Sequence, residues 1–196
     1  PRVRVGRRKT EQAYLNLAVR SIPRVHPDRF NLLVMNAVMS EGMSSRLFRE
    51  VREKRGLAYS VDSWYGLFRD AGIWGISAGV DPRRLTEAYD AILGECVRIR
   101  EERVPDDELQ KAKEQVKGRL VLGLEDSFSI ASWWGRAEAL GEPLMTVDEV
   151  LKAIDQVDAE EVRRFARELI QPRRMNVTLV GAFGPAVKWE LMARLE

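Results

Sequence analysis

The chain of 196 residues is 45% apolar and 32% charged and has a formal net charge of +2, which is typical of one globular domain with its own core. Acidic and basic residues are interspersed, which argues against nucleic-acid binding, and no apolar run is long enough to span a membrane. The single cysteine, Cys96, excludes an internal disulfide and leads us to expect a reducing compartment, by default the bacterial cytoplasm.

The first predicted elements are a strand and two helices. Residues 12–20 alternate apolar and polar side chains, which predicts a half-buried strand. Residues 27–40 and 44–55 follow a helical period, and Gly56 is the expected stop of the second helix because glycine enters the left-handed region freely. We expect Ser44 to cap the start of this second helix. Its side chains expected to point inward are Leu47, Phe48 and Val51.

Two strand-like runs and a long helix come next. Residues 57–68 and 71–80 are rich in β-branched and aromatic residues, so an antiparallel hairpin is predicted. The glycines within the second run indicate close backbone approach. Asp81-Pro82 then opens a long helix, whose apolar stripe is Leu85, Tyr89, Ile92, Cys96 and Ile99.

Four more helices and a strand complete the pattern. Pro105 begins one helix, and residues 127–140 form the next. Thr146 and Asp158 each stand three residues before a glutamate, which predicts capped helix starts. Residues 174–181 read as the last strand. The apolar stripe expected in the helix over 127–140 is Ile130, Trp133, Trp134, Ala137 and Leu140, and Trp64 and Trp74 are further core candidates.

This order of elements predicts an α+β fold. Strands separated by helices, together with one hairpin, favour a two-layer αβ sandwich with an antiparallel or mixed sheet and helices packed on one side. No linker or low-complexity segment interrupts the chain, so we assign residues 1–196 to a single domain.

The histidine content bears on metal chemistry. A zinc helix of the H-E-x-x-H or H-x-x-E-H type needs two histidines, and this chain has only His26. We therefore predict no metal site and no bound cofactor in this chain. His26 lies before Pro27-Asp28 at a helix start, which favours a surface or capping role.

Arg52 and Tyr59 flank the corner at Gly56. A fixed cation and a phenolic hydroxyl at one end of a sheet would suit binding of a peptide carbonyl or a developing oxyanion. The spacing alone instead favours a tyrosine packed in the sheet and an arginine paired with Glu50 or Glu53.

The stretch at residues 42–61, GMSSRLFREVREKRGLAYSV, resembles the C-terminal-domain signature of the M16 zinc metallopeptidases, the pitrilysin, insulinase and mitochondrial-processing-peptidase group, subfamily M16B. Residues 104–141 and 147–181 are also similar to this family. The resemblance covers about residues 10–182 and implies an M16/LuxS-like half-domain without metal.

The resemblance also implies a function. The zinc would be held in a partner N-terminal domain or subunit through H-x-x-E-H and a distal glutamate. This chain would close a chamber around an extended peptide and supply Arg52 and Tyr59, which match the family's Arg/Tyr pair, to bind substrate and stabilise the tetrahedral intermediate. Alone, the chain should be inactive in peptide-bond hydrolysis.

Two other functions stay open. Some members of this family are non-catalytic structural or regulatory subunits that lack the zinc motif, and a general protein-interaction module is the third alternative. An isolated half-domain should also expose an apolar face, from which we expect self-association of the chain.

Overall fold

The computed structural model describes residues 2–184 and 186–195 and contains one five-stranded mixed sheet. The strands are β1 (Arg2–Arg7), β2 (Ala13–Ser21), β3 (Ala58–Leu67), β4 (Gly72–Val80) and β5 (Asn176–Gly181). They lie in the order β1-β5-β2-β4-β3. β1 and β5 are parallel, and the other neighbours are antiparallel.

The helical layer covers one face of this sheet. Its α-helices are α1 (Arg29–Ser40), α2 (Leu85–Glu101), α3 (Asp106–Leu122), α4 (Ser127–Leu140), α5 (Val147–Asp155), α6 (Ala159–Leu169) and α7 (Val187–Ala193). In the described part of the chain, none of them is long and apolar enough to cross a bilayer. The five-stranded sheet and the helical layer confirm the predicted α+β two-layer sandwich. The assignment of 1–196 to one domain includes Pro1, Pro185 and Glu196, which lie outside the described residues.

Buried and more exposed side chains alternate along β2, so one face of the sheet packs against the helical layer. Ala13, Leu15, Leu17 and Val19 are buried beneath the helices, whereas the residues between them are partly or fully exposed. Two glycines of β4 allow the close approach that was predicted. A Cβ at Gly72 would lie 2.0 Å from the Ile22 carbonyl oxygen, and one at Gly75 would lie 2.6 Å from that of Leu17.

Most predicted boundaries and caps are confirmed. All five stripe residues of α2 are buried. The Thr146 hydroxyl accepts from the Glu149 amide and the Glu149 carboxylate accepts from the Thr146 amide, which is a complete capping box. Asp158 caps α6 by accepting from the Glu161 amide. His26 Nδ1 accepts from the amide of Asp28, the residue before α1, at 3.1 Å, but among the described residues no side chain caps the first turn of that helix, so the capping role expected of His26 is not confirmed.

Strand β1 was not predicted. Its inward side chains are Val3, which is buried, and Val5, which is half-buried. They lie among basic residues, so the strand has little apolar signal of its own. Its partner β5 is about 170 positions away in the chain, and a parallel pairing between such distant segments leaves no local turn signal.

The second predicted helix differs from the expectation. It begins at Arg46 and continues as a π-helical turn over Phe48–Glu53. The prediction that Ser44 caps it is wrong, because Ser44 is exposed and lies two residues before the first helical position. Leu47 and Val51 point inward as expected, whereas Phe48 is only half-buried.

The expected core face of α4 is also wrong. Of its predicted stripe only Ala137 is buried, and Trp134 is among the exposed residues. The physical reason is that α4 has no extensive contact with any other described element. We call the exposed apolar side chains around it the α4 patch; they are Val121, Leu122, Phe128, Ile130, Trp134, Leu140 and Leu144.

Candidate functional site

The π-helical turn places Arg52 at one corner of the sheet. The Lys54 amide donates to the Arg49 carbonyl at 2.9 Å, a bond to the fifth residue back instead of the fourth. Such wide turns are rare and are frequent at functional sites. Arg52 lies in the last turn and is exposed.

Gly56 ends this helix and returns the chain to the sheet. Its φ of 56° lies in the left-handed region, as predicted. The Gly56 amide donates to the Arg52 carbonyl at 3.1 Å, and the Leu57 amide donates to the Val51 carbonyl at 2.9 Å. These two bonds close the helix end and fix the direction in which β3 begins.

Tyr59 lies on a bulge at the start of β3. Ala58 pairs with Val80 and Ser60 pairs with Gly79, so Tyr59 is the extra residue between two consecutive partners on β4. A bulge turns a side chain out of the regular alternation of a strand, and bulges are common next to active sites. Tyr59 is 75% exposed, so the alternative of a tyrosine packed in the sheet is wrong.

The corner brings Arg52 and Tyr59 together. The guanidinium carbon of Arg52 lies 5.8 Å from the centre of the Tyr59 ring and 5.0 Å from that of the Phe48 ring, within the range of cation–π attraction. Two aromatic faces therefore restrain the arginine. Sequence reasoning missed the role of Phe48, although its position four residues before Arg52 on a helix was the available signal.

Glu50, one of the two carboxylates considered as partners of Arg52, is paired with another residue. Glu50 forms its ion pair with Lys54, whose hydrogen bond lowers the pKa of Glu50. Across residues 2–184 and 186–195, Arg52 makes neither an ion pair nor a side-chain hydrogen bond, so the alternative pairing with Glu50 or Glu53 is wrong. The guanidinium donors and the Tyr59 hydroxyl are thus available to an acceptor from outside.

A groove adjoins Tyr59. Its volume is about 570 Å³, and its wall includes Tyr59, Gly79, Asp81 and Arg83. Arg83 donates hydrogen bonds to Asp81 and holds the pKa of that carboxyl at about 2. The wall of the groove therefore carries an ion pair between these two residues. A larger cavity of about 620 Å³ lies beneath α4 and includes neither Arg52 nor Tyr59.

The donor set for a metal is incomplete in this chain. Within the described residues there is no group of three or more histidine, cysteine, aspartate or glutamate side chains that could hold a metal ion. The residues present in this part of the chain therefore do not fit a zinc centre.

The sequence is similar to a known peptidase family and to bacterial proteins named as zinc proteases. Residues 1–116 match the family model described as the Peptidase M16 inactive domain. A Streptomyces coelicolor protein named as an uncharacterized zinc protease is 38% identical over 180 residues, covering 92% of this chain and 39% of the relative. The Bacillus subtilis uncharacterized zinc protease YmxG is 36% identical over 163 residues, covering 83% and 40%. The chain thus spans about two fifths of the length of these relatives.

Solved structures share the fold. A conserved protein from Enterococcus faecalis superposes with a TM-score of 0.82 at 23% identity, covering 93% of this chain and 42% of its own. A peptidase M16 inactive domain from Pseudomonas fluorescens gives 0.81 at 21% identity, covering 94% and 45%. At these identities the likeness concerns the fold alone.

Proposed function

This chain belongs to the peptidase M16 family as its C-terminal inactive domain, and we propose that it is the metal-free half of a zinc-dependent endopeptidase. In this proposal it closes the peptide chamber, and Arg52 and Tyr59 bind the substrate and stabilise the tetrahedral intermediate. The zinc belongs to an N-terminal domain or subunit, which is the partner of this chain, and it would supply Lewis-acid chemistry there.

The exposed Arg52–Tyr59 corner is the observation that carries this proposal. The guanidinium stacks between two rings and has no carboxylate partner among the described residues, while Tyr59 projects from a bulge. Both groups donate hydrogen bonds, and the guanidinium is always charged. Donors fixed before the reaction stabilise a carbonyl oxygen as it becomes negative, because no reorganisation is needed at that moment.

The groove beside Tyr59 supports an extended peptide as the substrate class. It lies at the end of β3 and β4, next to the bulge. A bound chain that followed the groove would bring a backbone carbonyl near the tyrosine hydroxyl. When an extended peptide adds to a sheet edge, main-chain hydrogen bonds supply the affinity.

Two substitutions in the whole protein test the catalytic role. We expect Arg52→Ala and Tyr59→Phe each to lower turnover of a peptide substrate by about 10²- to 10³-fold, the loss seen when one oxyanion donor is removed. Zinc content should remain unchanged, because neither residue is a metal ligand in this proposal. Steady-state kinetics and metal analysis of the same preparations measure both quantities.

Matched controls separate this effect from surface changes. Arg49→Ala removes an exposed arginine from the same helix, and Tyr14→Phe removes the hydroxyl of an exposed tyrosine on β2; both should keep wild-type turnover. Wild-type rates in both test variants would refute the assigned roles. A whole protein that lacks H-x-x-E-H and hydrolyses no peptide would instead support the structural or regulatory alternative.

A further inference from the structure

Arg46 begins the helix that ends at the candidate site, and its side chain is almost fully buried. Only 5% of the residue is exposed. Its Nε and one Nη each donate to a different oxygen of Glu108 at 2.8 Å, which is the two-bond geometry that arginine forms with carboxylates. Glu108 lies in the first turn of α3, so the pair ties the start of this helix to a separate element.

Stability alone does not account for this pair. The other terminal nitrogen of Arg46, Nη1, is buried without a hydrogen-bond partner in the described structure, which costs free energy. Glu108 is 26% exposed, so the pair is buried mainly on the arginine side, and desolvation of Arg46 offsets part of the attraction between the charges. A role in fixing geometry explains the pair better.

The geometry it fixes is the π-helical turn. A wide turn holds one more residue than an α-turn, and each residue of an α-helix takes up about 100° of rotation. Relaxation of Phe48–Glu53 to an α-helix would thus rotate Arg52 away from Tyr59. Two anchors oppose this relaxation: the Arg46–Glu108 pair at the start and the bonds around Gly56 at the end.

We propose that the Arg46–Glu108 ion pair is a positioning element that maintains the π-helical turn and so directs Arg52 at Tyr59. This inference rests on the proposed function, since it deepens the role of the same corner. Arg46 touches neither substrate nor reacting atoms, and it acts only through Arg52.

A double-mutant cycle in the whole protein tests the coupling. Arg46→Met keeps the volume but breaks the pair, and we expect it to lower kcat/KM by roughly tenfold when Arg52 is present, within the range for coupled residues. In the Arg52→Ala background the same substitution should have almost no effect. Hydrogen exchange of the segment 46–57 should be faster in Arg46→Met, which reports the turn independently of activity.

Lys113→Met is the matched control. Lys113 is also a buried cation, and its Nζ donates to the Asp155 carbonyl at 2.9 Å, tying α3 to α5. Its substitution should leave exchange in 46–57 unchanged and act equally in both Arg52 backgrounds. Glu108→Gln serves as the second test variant if Arg46→Met does not fold.

The outcomes distinguish the two proposals. If Arg52→Ala keeps wild-type kcat/KM, the catalytic role of Arg52 and the positioning role of the Arg46–Glu108 pair both fail. If Arg52→Ala is impaired but Arg46→Met or Glu108→Gln lowers kcat/KM equally in both backgrounds, the positioning role is wrong and the catalytic role stands. Unchanged exchange in 46–57 would likewise overturn the claim that the pair maintains the turn.

Discussion

At the residue scale, the described charged side chains fall into two groups. Most have a carboxylate or arginine partner within a turn or on a neighbouring element, as in the pairs Arg84–Glu87 and Arg119–Glu41. Arg52 instead contacts two rings and keeps its donors exposed. An exposed arginine without an ion pair is expected to contribute little to folding, which is why we propose an external acceptor for its donors.

Cys96, unlike the exposed Arg52, is a potentially reactive side chain that the fold keeps from solvent. It is buried on α2, and burial raises the pKa of its thiol to about 12. Since the thiolate is the reactive form, we expect negligible alkylation of the native protein by iodoacetamide at pH 8 and rapid alkylation in denaturant. Mass spectrometry of the labelled protein measures both rates. Rapid labelling under native conditions would mean that α2 opens locally or is packed differently.

The candidate site was only partly predictable from single residues. The resemblance in residues 42–61 selected Arg52 and Tyr59, whereas spacing alone favoured buried or paired side chains. The pair between Glu50 and Lys54, four residues apart on the helix, was available from spacing and would have removed Glu50 as a partner of Arg52. The bulge that turns Tyr59 outward was not, because it depends on how β3 registers with β4, which is a property of the folded sheet.

At the element scale, the corner depends on one left-handed residue. Gly56 has a φ of 56°, and a Cβ there would meet nothing within 4 Å. A non-glycine residue in this conformation costs about 1–2 kcal/mol, so Gly56→Ala should lower the free energy of unfolding by that amount through backbone strain alone. Urea unfolding followed by circular dichroism measures the change.

Gly118→Ala provides the control for this substitution. Gly118 lies inside α3, and a Cβ there would also meet no atom within 4 Å. Alanine in a helix interior is favoured over glycine by about 0.5–1 kcal/mol, so this variant should be more stable than wild type. Equal effects of the two substitutions would contradict the left-handed role assigned to Gly56.

Elements defined by local signals were predicted well, and those defined by distant contacts were not. The capping box at Thr146 and the stripe of α2 each depend on residues three or four positions apart. The π-helical turn was not predicted from the sequence. Over six residues, the apolar positions Leu47 and Val51 fit the period of an α-helix and the wider period of a π-helix equally well. In α4, the apolar stripe indicates a helix but does not specify what covers it.

At the scale of the whole molecule, the core and the α4 patch differ in packing. The buried face of the sheet lies beneath the helical layer, whereas α4 borders a cavity of about 620 Å³, which Phe128 and Trp133 line, and leaves several of its apolar side chains exposed. Contiguous exposed apolar surface commonly marks an interaction site. The chain spans about two fifths of the relatives' length.

The α4 patch leads to a prediction for the chain studied alone. We expect concentration-dependent self-association, because burying exposed apolar area is favourable by about 25 cal/mol per Å². Phe128, which is 80% exposed, and Trp134 should contribute most, so Phe128→Ser combined with Trp134→Ser should shift the chain toward monomer in sedimentation velocity.

Tyr14→Ser, which alters an exposed aromatic residue on β2 away from the patch, should leave the association unchanged. A wild-type chain that stays monomeric up to about 100 μM, a concentration at which weak association is detectable, would contradict the prediction, as would equal effects of the patch and control variants.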